Sequence, residues 1–299
     1  MIKKRGLKAP ILNDTPYAVA MLAPNIMLFF IFMLFPIIWT FVMSLTRFDI
    51  ITPMRFIGFN NYINIFKDEV AMECLRNTLV FTIITVPTGM VISLFLAVLL
   101  DTGIQHFKRI YRVAFFIPSI TSWVAIAVVW QWLYNPEFGL INFFLSFLGI
   151  PPLRWLTTSS LSLVSVSIVS IWRGAGYNML LFLAGLQSIS TVYYEASDLD
   201  GASPWQKFFH ITIPLLTPTT FFVFVTSIIG TLQTFDIVNL MTAGGPGRSS
   251  SLLAHYLYQS AFRYMNMGYA AALAYLLFFI IMIVTIINMR FEKKSHEIY

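Results

Sequence analysis

Tyr193-Tyr194-Glu195-Ala196-Ser197-Asp198-Leu199-Asp200-Gly201-Ala202-Ser203-Pro204 brings three acids together between two long apolar segments. Only 11% of the chain is charged, so the cluster needs a reason. Its residues predict two short helices. Ser190 can cap the first, whose Val192, Ala196 and Leu199 share one face while Glu195 and Asp198 share another. Gly201 is a natural stop, because a left-handed residue closes a helix without Cβ strain. Ser203 and Pro204 restart the chain as cap and first helical residue, and Pro214 is expected to end the second helix. The segment 190–214 therefore reads as helix, glycine corner, helix.

Outside this segment the chain is apolar. Hydrophobic residues make up 58% of it, Phe alone contributes 29 residues, and the mean hydropathy is +0.77. No soluble domain could bury that much, so the class is an all-α integral membrane protein. A helix needs about 20 apolar residues to cross the hydrocarbon. Six segments qualify: 17–45, 77–100, 113–134, 161–186, 215–241 and 269–289. They leave little length for a soluble domain, so 1–299 is read as one transmembrane domain. Pro24 and Pro36 are expected to bend the first helix, and Pro118 to break the third early.

Charge distribution gives the orientation. The net charge of +6 could suggest nucleic acid, but its placement points to membrane topology. Lys3, Lys4, Arg5 and Lys8 precede the first apolar run, which is too long for a signal peptide and is read as a retained helix. Counting Lys and Arg gives eleven on the segments expected in the cytoplasm and five on the external loops, with both termini inside. The acidic segment is the exception, carrying only Lys207. Its side is fixed by its neighbours, which leaves its acids to serve a partner.

Glu195-Ala196-Ser197-x-x-Asp200-Gly201-Ala202, followed by apolar residues and Ile211-Thr212-Ile213-Pro214-Leu215-Leu216, resembles the cytoplasmic "EAA" loop of the membrane-spanning subunits of binding-protein-dependent ABC importers. The family's usual second Ala is Ser197 here. The resemblance runs from the first helix to Met289 and extends to the turn Gly244-Gly245-Pro246, which looks like that of carbohydrate-type permeases. It implies the six-helix type I importer permease fold. It also implies that Tyr194, Glu195, Ala196, Ser197, Asp198, Asp200, Gly201 and Ala202 belong to a coupling helix that docks on a separate ATPase. The implied partners are a second permease subunit, two ATPase subunits that bind ATP and Mg, an extracytoplasmic solute-binding protein and a small-molecule solute. The implied setting is a bacterial inner membrane, with no nucleic acid involved. No Walker sequence occurs, and the Gly-Gly-Pro turn has no Gly-Lys-Ser/Thr after it, so hydrolysis is expected from other chains and no cofactor on this one.

Polar groups inside membrane helices are costly, so each is a candidate for function. Arg173 in Trp172-Arg173-Gly174-Ala175-Gly176-Tyr177 would cost about 2.5–3.5 kcal/mol at a helix centre, so it must face protein or water. Thr231, Gln233, Thr234, Asp236 and Asn239 form a second polar group at similar depth. One reading makes Arg173, Gly174, Tyr177, Thr231, Gln233, Thr234 and Asp236 a solute path, with donors and acceptors for sugar hydroxyls and Tyr or Trp faces for C–H surfaces. The other pairs Arg173 with Asp236 and lets the hydroxyls tie helices together. A sugar or oligosaccharide is the expected solute. Glycerol-3-phosphate or another anionic polyol is the alternative, since Arg173 could meet a phosphate. A membrane enzyme or an ATP-independent secondary carrier is a distant third. His106, His210, His255 and His296 are scattered, so neither a metal set nor a catalytic triad emerges, and the single Cys74 excludes an internal disulfide.

Overall fold

The computed structural model describes residues 15–103 and 107–296. Lys3, Lys4, Arg5, Lys8 and His106 lie outside the described residues, as do the side chains of Lys293, Lys294 and His296. In chain order, α1 (Thr15–Phe29) and α2 (Phe35–Ser44) are joined by a π turn at Phe30–Leu34. A two-stranded ribbon follows, β1 (Thr46–Arg47) antiparallel to β2 (Arg55–Phe56), then α3 (Asn60–Lys67) and α4 (Glu69–Val98). Next come α5 (Lys108–Ile120), α6 (Trp123–Leu133), α7 (Leu140–Ser146) and α8 (Ser159–Ser188). The acidic segment holds α9 (Thr191–Leu199), α10 (Pro204–Lys207), a π turn at Phe208–Thr212 and α11 (Ile213–Leu215). The chain then forms α12 (Thr217–Leu232), α13 (Asp236–Met241), α14 (Leu253–Tyr258), a π turn at Gln259–Arg263 and α15 (Met267–His296).

The organising contact is α4 on α8. Along α4 the buried residues Ala71, Cys74, Thr78, Phe81, Thr85, Gly89, Ser93 and Ala97 recur every three or four positions, and most are small. Lipid supplies no hydrophobic drive between helices, so association rests on close van der Waals packing, which small residues permit. Two of their hydroxyls turn back onto their own helix: Thr78 donates to Cys74 O at 2.7 Å and Ser93 to Gly89 O at 2.6 Å.

This packing fixes the topology. Phe81 shares one buried cluster with Leu163, Val166 and Val169, while Ala97 and Leu100 share another with Met179, Phe182, Leu183 and Leu186, so α4 and α8 run parallel. The chain between them must cross back, which makes the α5–α6 pair, bent by 100°, one crossing. Ala272 and Leu273, near the start of α15, cluster with Ile65 and Ala71 near the start of α4. The chain leaving α8 must therefore also return through α12 and α13. Six crossings result, with the start of α1, the end of α15 and the acidic segment all at one end of the bundle.

Several helix boundaries differ from the hydropathy reading. The second span starts at Glu69 rather than 77, because Asp68 caps it and a polar first turn extends the helix beyond its apolar run. Pro118 does not break the third span. It lies inside α5, and the break falls at Thr121-Ser122, where Ser122 caps α6 by accepting the Val124 amide at 3.3 Å. The first span runs over Val19–Ser44 with Pro24 inside α1 and Pro36 at the start of α2, a π turn just before Pro36 shifting the hydrogen-bond register. Nor does Pro214 end its helix. It opens α11 after another π turn, where a missing N–H is tolerated, and the chain bends by 63° beyond Leu215. Leu216 at that elbow is 1% exposed, and Gly185 of α8 lies so close to it and to Thr219 that an added Cβ would force their side chains to shift.

Asp68 ties distant elements together at the opposite end. Its Oδ1 accepts the Val70 amide at 2.9 Å, and its Oδ2 accepts the hydroxyls of Tyr256 at 2.7 Å and Tyr269 at 2.6 Å. Burial alone would push this carboxyl up, but the Tyr269, Tyr256 and Val70 donors outweigh it and hold it below the usual range. A depressed folded value means that its contribution is present above the unfolded value of about 3.9 and is lost only as pH falls through the lower folded one. Asp68→Ala is expected to lower stability at neutral pH by about 2 kcal/mol, read as a lower thermal midpoint in detergent. An unchanged midpoint would show that the tyrosines do not depend on it.

Candidate solute cavity and coupling hook

At mid-length of the bundle lies a cavity of about 480 Å³, walled by α4, α5, α6, α8 and α12. Two of its walls are placed by helix breaks. The 100° bend delivers Phe116, Ser119, Ile120 and Trp123 to the lining, and α12 contributes Thr231 while the unwound residues after it contribute Thr234. Non-helical backbone at membrane depth is tolerated where it lines a cavity, because the freed polar groups can be solvated there.

Of the residues the sequence points to, Arg173, Gly174, Tyr177, Thr231 and Thr234 line this cavity, whereas Gln233 and Asp236 do not. Asp236 starts α13 and is exposed. The Arg173–Asp236 pair is not formed; among the described residues the ion pair is Lys207–Asp198. Arg173 instead stacks over the Trp123 ring at 4.1 Å from its centroid, and its Nη2 donates weakly to Thr121 O at 3.5 Å. The bend thus supplies both a π face and a loose carbonyl, which leaves the guanidinium turned to the cavity.

The two glycines flanking Ala175 have different jobs. A Cβ on Gly174 would meet open space, whereas one on Gly176 would overlap Phe115 O, so Gly176 is where α8 and α5 backbones touch. Sequence reasoning missed the α4 contribution of Thr85 and Gly89, and also Ser170 and Asn178, since hydroxyls and amides in long apolar runs look like packing residues. Burial reveals them. Among the described residues four buried side-chain polar atoms lack a hydrogen-bond partner: Thr85 Oγ1, Ser170 Oγ, Arg173 Nε and Ser260 Oγ. The first three belong to residues lining this one cavity. Such orphans are costly unless something polar enters.

The acidic segment is a closed hook. Ser190 accepts the Val192 amide, and Gly201, at φ +74°, ends α9 with Ala202 N donating to Ser197 O at 2.9 Å and Gly201 N to Asp198 O at 3.1 Å. That pairing is a Schellman closure. Ser203 and Gln206 form a reciprocal capping box that starts α10. Lys207 bridges to Asp198, and the Tyr194 hydroxyl meets Thr212 Oγ1 at 2.9 Å, so the second helix is fastened back to the first. Asp198 therefore also fastens the hook through one carboxylate oxygen, while its side chain remains exposed. Glu195 and Asp200 stay exposed, beside an apolar surface of Val192, Leu199, Trp205 and Phe209 on which Leu199 is 91% exposed.

His255, expected on an external segment, is buried and shares a hydrogen bond with Ser251 at 3.0 Å. It lies against Gly244, whose φ of +87° and lack of Cβ let the Gly-Gly-Pro turn fold over the ring.

A six-crossing bundle with broken helices around a polar mid-depth cavity defines a membrane transport subunit. The chain belongs to the family of binding-protein-dependent transport system inner membrane components, whose sequence profile matches residues 14–296. It is 34% identical over 287 residues to the sulfoquinovosyl glycerol transport system permease protein of Agrobacterium fabrum, covering 95% of this chain and 92% of that one. It is 31% identical over 292 residues to the sn-glycerol-3-phosphate transport system permease protein of Pectobacterium atrosepticum, covering 96% and 97%. Its fold matches a chain in the crystal structure of a bacterial ABC transporter involved in import of the acidic polysaccharide alginate. The TM-score there is 0.83 at 23% identity, covering 94% of this chain and 96% of that chain.

Proposed function

We propose that this chain forms half of the translocation path of an ATP-driven importer for a saccharide or oligosaccharide, working by alternating access. A second permease subunit completes the path, two ATPase subunits bind ATP and Mg and dock on the hook, and an extracytoplasmic binding protein delivers the solute at the other end. The hook and both chain ends then face the cytoplasm. One observation carries the reading: three residues with an unpaired buried polar atom, Thr85, Ser170 and Arg173, line a single mid-depth cavity together with Trp123 and Tyr177. Hydroxyls, an amide and aromatic rings suit a polyol ring, whose edges are hydrogen-bonding and whose faces are C–H. The test is uptake of a labelled oligosaccharide by the assembled importer in proteoliposomes. Gly174 lines the cavity and its Cβ position is open, so Gly174→Trp puts an indole into that space, and uptake is expected to fall at least about tenfold with assembly intact. Unchanged uptake would remove the cavity from the path.

Arg173 supports a second reading, an anionic polyol such as the glycerol-3-phosphate named for a relative. Its guanidinium has a weak protein acceptor and no carboxylate, so a phosphate or sulfonate would complete it. Arg173→Gln separates the two. Loss of a charged hydrogen bond worth about 1.5–3 kcal/mol would weaken an anionic solute by roughly 10- to 100-fold. A neutral saccharide would change little.

A further inference from the structure

The fourth orphan atom, Ser260 Oγ, belongs to a different place. It lines a cavity of about 300 Å³ at the end of the bundle opposite the hook, together with Asn64, Asp68, Tyr256, Tyr264 and Asn266. An adjoining cavity of about 230 Å³ shares Tyr256 and Tyr264 and reaches Gln259 and Arg248. Thr85 of the central cavity is 17 residues further along α4 than Asp68, about 25 Å at 1.5 Å per residue, so the two sites are separate.

The wall is built rather than incidental. The π turn at Gln259–Arg263 widens the helix at Ser260, a device that recurs at functional sites. Met265, a non-glycine residue at φ +56°, then reverses the chain so that Asn266 N donates to Ser260 O at 2.8 Å. Ser260 itself is 1% exposed, and its hydroxyl has no partner of good geometry, with the Tyr256 phenol the protein group that reaches it.

We propose that this groove is a second saccharide subsite on the path into the bundle, an inference that rests on the saccharide reading above. The groups present select the chemistry. Both Asp68 oxygens already accept hydrogen bonds, which together with Arg248 in the adjoining cavity disfavours a bare cation. The ionised Asp68 repels a phosphate. What remains is a mixture suited to hydroxyls: phenol oxygens of Tyr256 and Tyr269 whose protons are committed to Asp68, the amides of Asn64 and Asn266, and the Ser260 hydroxyl. The ring of Tyr264, 60% exposed, offers a flat apolar face to sugar C–H groups. The joint volume lies within the range of about 300–1,000 Å³ typical of small-molecule clefts.

Saturation-transfer NMR on the assembled importer in nanodiscs, with neutral gluco-, galacto- and arabino-saccharides as probes, tests this. In a Gly174→Trp background an indole occupies the central cavity, and a saccharide signal is expected to persist. Adding Tyr264→Ala or Ser260→Leu is expected to reduce that remaining signal about fivefold; Tyr264 is exposed, so its variant does not depend on repacking. Signal abolished by Gly174→Trp alone would overturn the second subsite and leave the saccharide reading standing. Signal indifferent to both groove variants, or weaker capture of the binding protein by Tyr264→Ala with the saccharide signal unchanged, would also overturn it, the latter in favour of protein docking. No saccharide signal in the unmodified importer would sink the saccharide reading itself.

Discussion

Glu195→Lys is expected to reduce ATP-driven uptake to background, a loss of about a hundredfold or more, while the permease still inserts and still copurifies with the second permease subunit. Glu195 is exposed and has no ion pair within the chain among the described residues, so the substitution removes nothing that holds the hook together. Asp198 with Lys207, Tyr194 with Thr212 and the Gly201 closure remain. What changes is the charge shown to a docking partner, and reversing a charge at an interface costs several kcal/mol. Asp198→Asn is the control, since it acts within the hook by loosening the Lys207 fastening. Normal uptake by Glu195→Lys would detach the hook from energy coupling.

Gly176→Val is expected to fail earlier, at folding. Its side chain would have to displace the Phe115 carbonyl on α5, a backbone atom that no rotamer change can move aside. Overpacking of this kind costs about 3 kcal/mol or more and separates α5 from α8, where one wall of the cavity is set. The checks are a fall in monodisperse yield and in thermal midpoint relative to wild type, with Gly174→Ala, which meets open space, staying near wild type. Equal midpoints for Gly176→Val and wild type would mean that α5 does not rest on α8 as described.

The hook was the most legible part of the chain, because capping and glycine closure are local: Ser190, Gly201, Ser203 and Pro204 act on residues within five positions of themselves. The six-crossing count followed from segment length and hydropathy. The breaks that matter most to the cavity were hidden, since Thr121 and Ser122 barely interrupt an apolar run, and a π turn changes hydrogen-bond register without changing composition. Arg173 was recognisable as a group needing an explanation, but its partner was not. A carboxylate at similar depth looked like the natural answer, whereas the fold supplies an indole face made accessible by the bend. Asp68 shows the same limit in another form: its two tyrosines are 188 and 201 residues away, Tyr256 on α14 and Tyr269 at the start of α15, and only the packing of α14 on α4 and of α15 on α14 and α3 brings them in.

The elbow at Leu216 has a mechanical meaning. Gly185 is wedged against Leu216 and Thr219, so the lower part of α8 and the first turn of α12 are keyed to each other rather than hinged. On the coupling role proposed above, a push on the hook is expected to reach Arg173 on α8 and Thr231 on α12 together, tilting facing sides of the cavity in step. The unwound links at Thr121-Ser122 and at Gln233 to Phe235, further along, are left as the places where that push is absorbed.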